Sequence, residues 1–204
     1  PKEFFLTDGI STDFTISNTQ RQGELLASLR PYQEDGFRWM NTLYENNKGG
    51  LLADDMGLGK TIQTIALLSH IYETAPRIET TLNNLSLNNT ALAPSLIVVP
   101  VSLMHNWINE IKKFAPHLSI YNYSGRNRIR SKNIGNILRN YHIVITSYGL
   151  LRNDNEYLSQ YAFTYIILDE SQYIKNPSSK IYHAVMQLNG SHKLTISGTP
   201  IENK

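Results

Sequence analysis

Apolar residues recur at near-helical spacing from Pro31 onward: Tyr32, Phe37, Met40, Leu43 and Tyr44 fall toward one face, and Gly49-Gly50 stops the run. Pro31 suits a first helical turn, where its missing N–H has no helical partner to lose. Leu51-Leu52-Ala53 then reads as a short buried strand and residues 54–60 as a glycine-bearing loop. Residues 61–72 read as a helix with Ile62, Ile65, Ala66 and Leu68 inward. Residues 74–94 break the pattern, being Asn- and Thr-rich, aperiodic and bounded by Pro76 and Pro94. They read as a long surface insertion.

A buried strand follows at 95–99. Ser102 stands where a helix cap belongs, and Leu103, Met104, Trp107, Ile108, Ile111 and Phe114 form one stripe ended by Pro116. Residues 120–123 suit a strand, 126–140 a basic helix, 142–146 a strand and 148–151 a helical turn. Residues 165–168 predict a strand ending in two acids, 178–188 a helix and 193–196 a last strand. Short apolar runs alternating with helical patterns predict βαβ units. The fold class is therefore α/β, with a mainly parallel central sheet covered by helices on both faces. Residues 1–28 stand apart as a flanking segment, in which only Phe14 and Ile16 alternate with polar neighbours.

Composition narrows the function. The 204 residues are 41% hydrophobic and 18% charged, which rules out a disordered tail. The apolar run from Leu96 is broken at Pro100 and is far too short to span a bilayer, so no membrane partner is expected. The chain has no cysteine, which excludes disulfides, cysteine zinc sites and cysteine nucleophiles. His105, His117, His142 and His183 lack metal-ligand spacing. A net charge of +2 neither demands nor forbids nucleic acid. The chain opens on Pro1 and closes on Lys204, and reads as a fragment of a longer polypeptide. The absence of a nuclear-type basic cluster points to a bacterial-type cytoplasm, with a nucleus left open.

Three segments carry chemistry. Asp54-Asp55-Met56-Gly57-Leu58-Gly59-Lys60-Thr61 joins a strand to a helix. In that setting backbone N–H groups and the helix N-terminus favour phosphate, Lys60 supplies charge, and the Thr61 hydroxyl can ligate magnesium. A plain glycine turn remains the alternative, because the generic pattern wants Gly at position 54. Asp169-Glu170 ends a buried strand, where open α/β sheets bind ligands. One carboxylate can hold magnesium and the next can activate water. A solvated strand end is the bland reading. Ser197-Gly198-Thr199-Pro200 is a hydroxyl-rich turn that alone reads as an ordinary loop.

Taken with Leu29-Arg30-Pro31-Tyr32-Gln33, these segments resemble the Swi/Snf-type helicase-like ATPases of helicase superfamily two. Val99-Pro100-Val101-Ser102-Leu103 resembles motif Ia, and Thr146-Ser147-Tyr148 resembles motif Ib. Asp169-Glu170-Ser171-Gln172 resembles the family's acidic box with Ser171 in place of Ala, and residues 197–203 resemble motif III.

The resemblance covers residues 29–203 and implies a RecA-like three-layer lobe. It implies ATP and magnesium as ligands. Asp55, Met56, Gly57, Leu58, Gly59, Lys60 and Thr61 would then cradle phosphate, and Gln33 would contact adenine. Asp169, with Thr61, would place magnesium, and Glu170 would activate water. Gln172, Ser197 and Thr199 would couple nucleotide state to DNA and domain closure. Pro100, Ser102, Thr146, Ser147 and Tyr148 would meet the backbone of double-stranded DNA without sequence preference. The family's second RecA-like lobe, with its arginines, is expected as the partner and is not among these residues.

Three functions compete on this footing: an ATP-driven DNA translocase lobe, a nucleotide-dependent protein-interaction module with little ATPase activity, and a kinase. The kinase is disfavoured because no acceptor pocket is legible. Arg126, Arg128, Arg130 and Lys132 read as a solvated helix face, and Trp39 and Trp107 as core.

Overall fold

The computed structural model describes residues 25–53, 57–76, 90–126 and 128–198. Six strands form one sheet: β1 (Gly50–Leu52), β2 (Ser95–Val99), β3 (Ile120–Asn122), β4 (Ile143–Ser147), β5 (Ala162–Leu168) and β6 (Asn189–Ile196). Their order is β1-β6-β5-β2-β4-β3, and every pairing is parallel. The predicted α/β class with a parallel sheet is therefore what the chain adopts.

The helices are α1 (Pro31–Glu45), α2 (Lys60–Thr74), α3 (Val101–Phe114), α4 (Gly135–Leu138), α5 (Tyr148–Asn153), α6 (Asn155–Leu158) and α7 (Lys180–Met186). Alternation along the strands sorts the core into two layers. Ile97 and Val99 of β2 pack with residues of α1, α2 and α3, including Met40, Leu67 and Ile111. Leu96 and Val98 pack with Leu138, Leu151 and Val185 on the other face. Strands so buried cannot alternate with polar residues, which is why they read as apolar runs.

Five expectations need correction. Residues 126–140 do not form a basic helix; only Gly135–Leu138 is helical. The Arg128 guanidinium instead turns inward onto Asp154, an acid that also accepts the Tyr123 hydroxyl at 3.1 Å, with Arg130 at 3.6 Å. Ser102 does not cap α3. Pro100 is the cap residue, Leu103 N–H returns to its carbonyl at 2.9 Å, and Ser102 lies exposed in the first turn.

The insertion is shorter than 74–94. The Ala93 carbonyl accepts the Tyr72 hydroxyl at 2.9 Å and the Thr164 hydroxyl at 2.7 Å, which ties its end to α2 and β5. Ala91 N–H donates to the Pro76 carbonyl at 2.8 Å, closing a neck; residues 77–89 lie outside the described residues. Trp39 is 37% exposed, whereas Trp107 is buried as expected. Finally, the flanking segment reaches the body, because Leu26 N–H donates to the Phe114 carbonyl at 2.7 Å. Residues 1–24, with Phe14 and Ile16, lie outside the described residues.

Candidate nucleotide site at the carboxyl edge of the sheet

A parallel sheet delivers all its strand ends to one edge, and there the motifs meet. Leu52 pairs with Ile196, Thr195 with Leu168, Leu168 with Val98, and Val99 with Ser147, so five strands finish nearly flush. The chain leaves them as the phosphate loop, Ser197-Gly198, Asp169-Glu170, Pro100 and Tyr148 respectively. Ser197 is buried, with its N–H donated to the Leu52 carbonyl at 3.1 Å. Thr199, Asp55 and Met56 lie outside the described residues.

The loop owes its shape to two glycines. Gly57 and Gly59 have φ of 86° and 78°, in the left-handed region that side chains disfavour. A Cβ on Gly59 would lie 2.3 Å from the Gln33 side-chain nitrogen. Between them the Leu58 carbonyl accepts two amides, Gln33 Nε2 at 3.3 Å and Gln63 Nε2 at 3.4 Å. Gln33 is itself fixed, because its Oε1 accepts Arg30 N–H at 3.0 Å. Two glutamines from α1 and α2 thus hold the loop from behind. Helix α2 begins at Lys60 with no acid in its first turn, so no carboxylate of that turn offsets its N-terminal dipole. Lys60 and Thr61 are half-buried there.

Asp169 is 8% exposed and held at four points. Its Oδ2 accepts the Trp107 indole N–H at 2.8 Å, and its Oδ1 accepts Glu170 N–H at 2.9 Å. Its own N–H donates to the Val98 carbonyl at 2.9 Å, and its carbonyl accepts the Tyr148 hydroxyl at 2.6 Å. Burial pushes the Asp169 carboxyl above its ordinary value. The Trp107 and Glu170 N–H groups and the Lys60 charge oppose that rise, and the Glu170 charge adds to it. The same burial, with the Asp169 and Glu170 charges beside it, drives the Tyr148 hydroxyl upward and keeps it a donor.

Glu170 has φ of 53°, a left-handed conformation that costs a non-glycine residue on the order of 1 kcal/mol or more. Its Oε2 accepts the Gln172 side-chain amide at 2.7 Å. Ser171–Ile174 forms a 3₁₀ turn after it, which stacks the Tyr173 ring on Tyr148 with centroids 5.1 Å apart.

The hydroxyls expected to face DNA are used inside. Thr146 Oγ1 donates to the Tyr123 carbonyl at 3.1 Å, Ser147 Oγ accepts Leu150 N–H at 3.3 Å, and Tyr148 is engaged as above. All three residues are buried, and these side-chain contacts hold the strand end. Pro100 is buried too, and Val101 and Ser102 are the exposed residues of that corner.

Among the described residues no three His, Asp or Glu side chains cluster as a metal site. A single buried carboxylate suits magnesium, which takes few protein ligands and completes its shell with phosphates and water. Nor is any described helix long and apolar enough to cross a membrane. Trp107 and Gln63 were not legible as site residues. The usable signal for Trp107 was that a buried indole N–H needs an acceptor.

Residues 32–204 match the SNF2-related domain family. An uncharacterized ATP-dependent helicase of Mycoplasma genitalium is 40% identical over 87% of this chain and 16% of its own length. A putative ATP-dependent helicase/translocase of Bacillus subtilis is 41% identical over 87% of this chain and 18% of its own. The Sulfolobus solfataricus SWI2/SNF2 ATPase core, solved in complex with dsDNA, is 40% identical with a TM-score of 0.73, covering 89% of this chain and 34% of that one. This chain thus spans less than a fifth of those two curated relatives. With the fold, the strand-end geometry and the family match in agreement, the chain belongs to the SNF2-related family of Swi/Snf-type helicase-like ATPases.

Proposed function

We propose that the chain is the ATP-binding lobe of a motor that hydrolyses ATP to move on double-stranded DNA, working with a second RecA-like lobe. One observation carries this reading: the left-handed Gly57 and Gly59 loop and the Asp169-Glu170 pair leave strands β1 and β5, which flank β6 at one edge of the sheet. The backbone from Gly57 to Lys60 receives the β- and γ-phosphates, and Lys60 adds its charge. Gln33 meets the adenine while keeping its hold on the Leu58 carbonyl. Thr61 and Asp169 hold magnesium, which when bound neutralises phosphate charge.

Glu170, steadied by Gln172, takes the proton of an attacking water. The water oxygen bonds to the γ-phosphorus as the bond to the β–γ bridging oxygen breaks, giving ADP and phosphate. Ser197 and Thr199 sit in sequence where nucleotide state is passed on. For DNA, the exposed start of α3 at Val101 and Ser102 offers backbone N–H groups to a phosphate. The Sulfolobus relative was solved in complex with dsDNA, which supports DNA as the kind of partner.

Binding of a fluorescent ATP analogue tests the nucleotide reading. Lys60→Ala is expected to weaken it at least about tenfold, the loss of one charge-assisted contact of roughly 1.5–3 kcal/mol. Its melting temperature should stay that of the unaltered chain. Full affinity in that variant overturns the assignment.

A further inference from the structure

We propose that Trp107 is a positioning residue for the magnesium-side acid, its indole N–H fixing the Asp169 carboxylate in one orientation. The inference rests on the nucleotide reading above and extends it to a residue of α3. An indole has one N–H and no acceptor, so a buried Trp must find one oxygen. Trp107 is 1% exposed, and its oxygen is Asp169 Oδ2 at 2.8 Å, across 62 residues of sequence. A backbone carbonyl would have satisfied the ring equally well for packing. The carboxylate at the strand end is the partner instead.

The ring cannot swing away from it. Trp107 packs among the core residues that include Met104, Ile111 and Ile145, on a helix seated against α2 and β4. With the Glu170 N–H on Oδ1 at 2.9 Å, both carboxylate oxygens are steered by N–H donors. A carboxylate has about four lone-pair sites, so each oxygen keeps one for a water or a cation. A Phe in this place would preserve most of the packing and remove the donor, leaving Asp169 free to rotate. Groups that orient a metal ligand from behind typically govern about 10–100-fold of metal affinity.

The test separates magnesium from nucleotide. In Trp107→Phe, the magnesium concentration that half-maximally tightens mant-ADP binding should rise about tenfold, while affinity in EDTA stays within about twofold. The chain has two tryptophans, so Trp39→Phe leaves Trp107 as the sole tryptophan, excited selectively over tyrosine at the red edge of absorption, and keeps the test open if Trp107→Phe does not fold. In that chain, magnesium added to bound ADP should change the emission of Trp107, and ADP in EDTA should not. Equal weakening with and without magnesium, an unmoved magnesium midpoint, or an emission blind to magnesium overturns the proposal. If the unaltered chain binds no mant-ADP at all, the nucleotide reading falls and takes this inference with it.

Discussion

At the scale of single residues, the site is built from backbone conformations that most side chains refuse. Gly59 combines a φ of 78° with a neighbour that would stand 2.3 Å from any added Cβ. Gly59→Ala should therefore strain the turn and dislodge Gln33, whose amide holds the Leu58 carbonyl. The left-handed strain alone is about 1–2 kcal/mol, and differential scanning fluorimetry should read a lower melting temperature, with weaker nucleotide binding. Gly57 also has a positive φ, but a Cβ there meets nothing within 4 Å. Gly57→Ala should accordingly be the milder variant. The glycines were legible in the sequence because a turn between strand and helix demands them. The Trp107–Asp169 contact was not, since one apolar stripe gives no hint of which oxygen receives a single N–H. Nor could sequence show that Thr146, Ser147 and Tyr148 spend their hydroxyls on a strand end, a helix cap and a carbonyl.

At the scale of elements, periodicity found what packs by apolar stripes and missed what polar side chains organise. Strands β2, β4 and β5 and helices α1 to α3 declare themselves through burial. The stretch from Ser124 to Ile134 has charges at near-alternate positions, and read alone they suggest a solvated helix. Its organiser, Asp154, lies between α5 and α6 and is 3% exposed. Arg128 from that stretch and the Tyr123 hydroxyl just before it converge on Asp154, so the loop is a polar clip that no local pattern reveals. Removing the acid strips a half-buried arginine and a buried tyrosine of their shared partner, at a cost of roughly 1–3 kcal/mol. Asp154→Ala should lose most of that in chemical denaturation. Asp154→Asn, which still accepts the tyrosine, should lose less. Equal stability of both variants with the unaltered chain would mean that solvent already satisfies Arg128. Nucleotide binding should survive Asp154→Asn, since the clip stands apart from the phosphate loop.

At the scale of the molecule, an all-parallel sheet gathers residues 33, 57–61, 169–172 and 197 to one edge, and it also limits what they can do alone. Among the described residues the cation acting on Asp169 is Lys60, and the sequence holds no arginine after Glu170. Arginines brought to a transferring phosphoryl group are worth about 10³–10⁵ in rate. On the proposed function, a lobe placing nucleotide, magnesium and water without them should turn over on the order of 10⁻³ s⁻¹ or slower, the range of phosphate-loop hydrolases working without that help. A nucleotide cleft that needs a second lobe, as proposed, would also leave phosphate charge screened by water in this chain alone, which weakens every electrostatic contribution. On the same proposal, duplex DNA should stimulate this chain little, because a single lobe would touch phosphates without closing on them. What DNA binding it has should fall steeply with salt. Steady-state phosphate release from the 204-residue chain, with and without duplex DNA, decides the point. Brisk DNA-stimulated turnover that rises with the square of protein concentration would mean that a second copy supplies the opposing cations. Brisk turnover linear in concentration would mean that this chain completes its own site, and the requirement for a second lobe would be wrong.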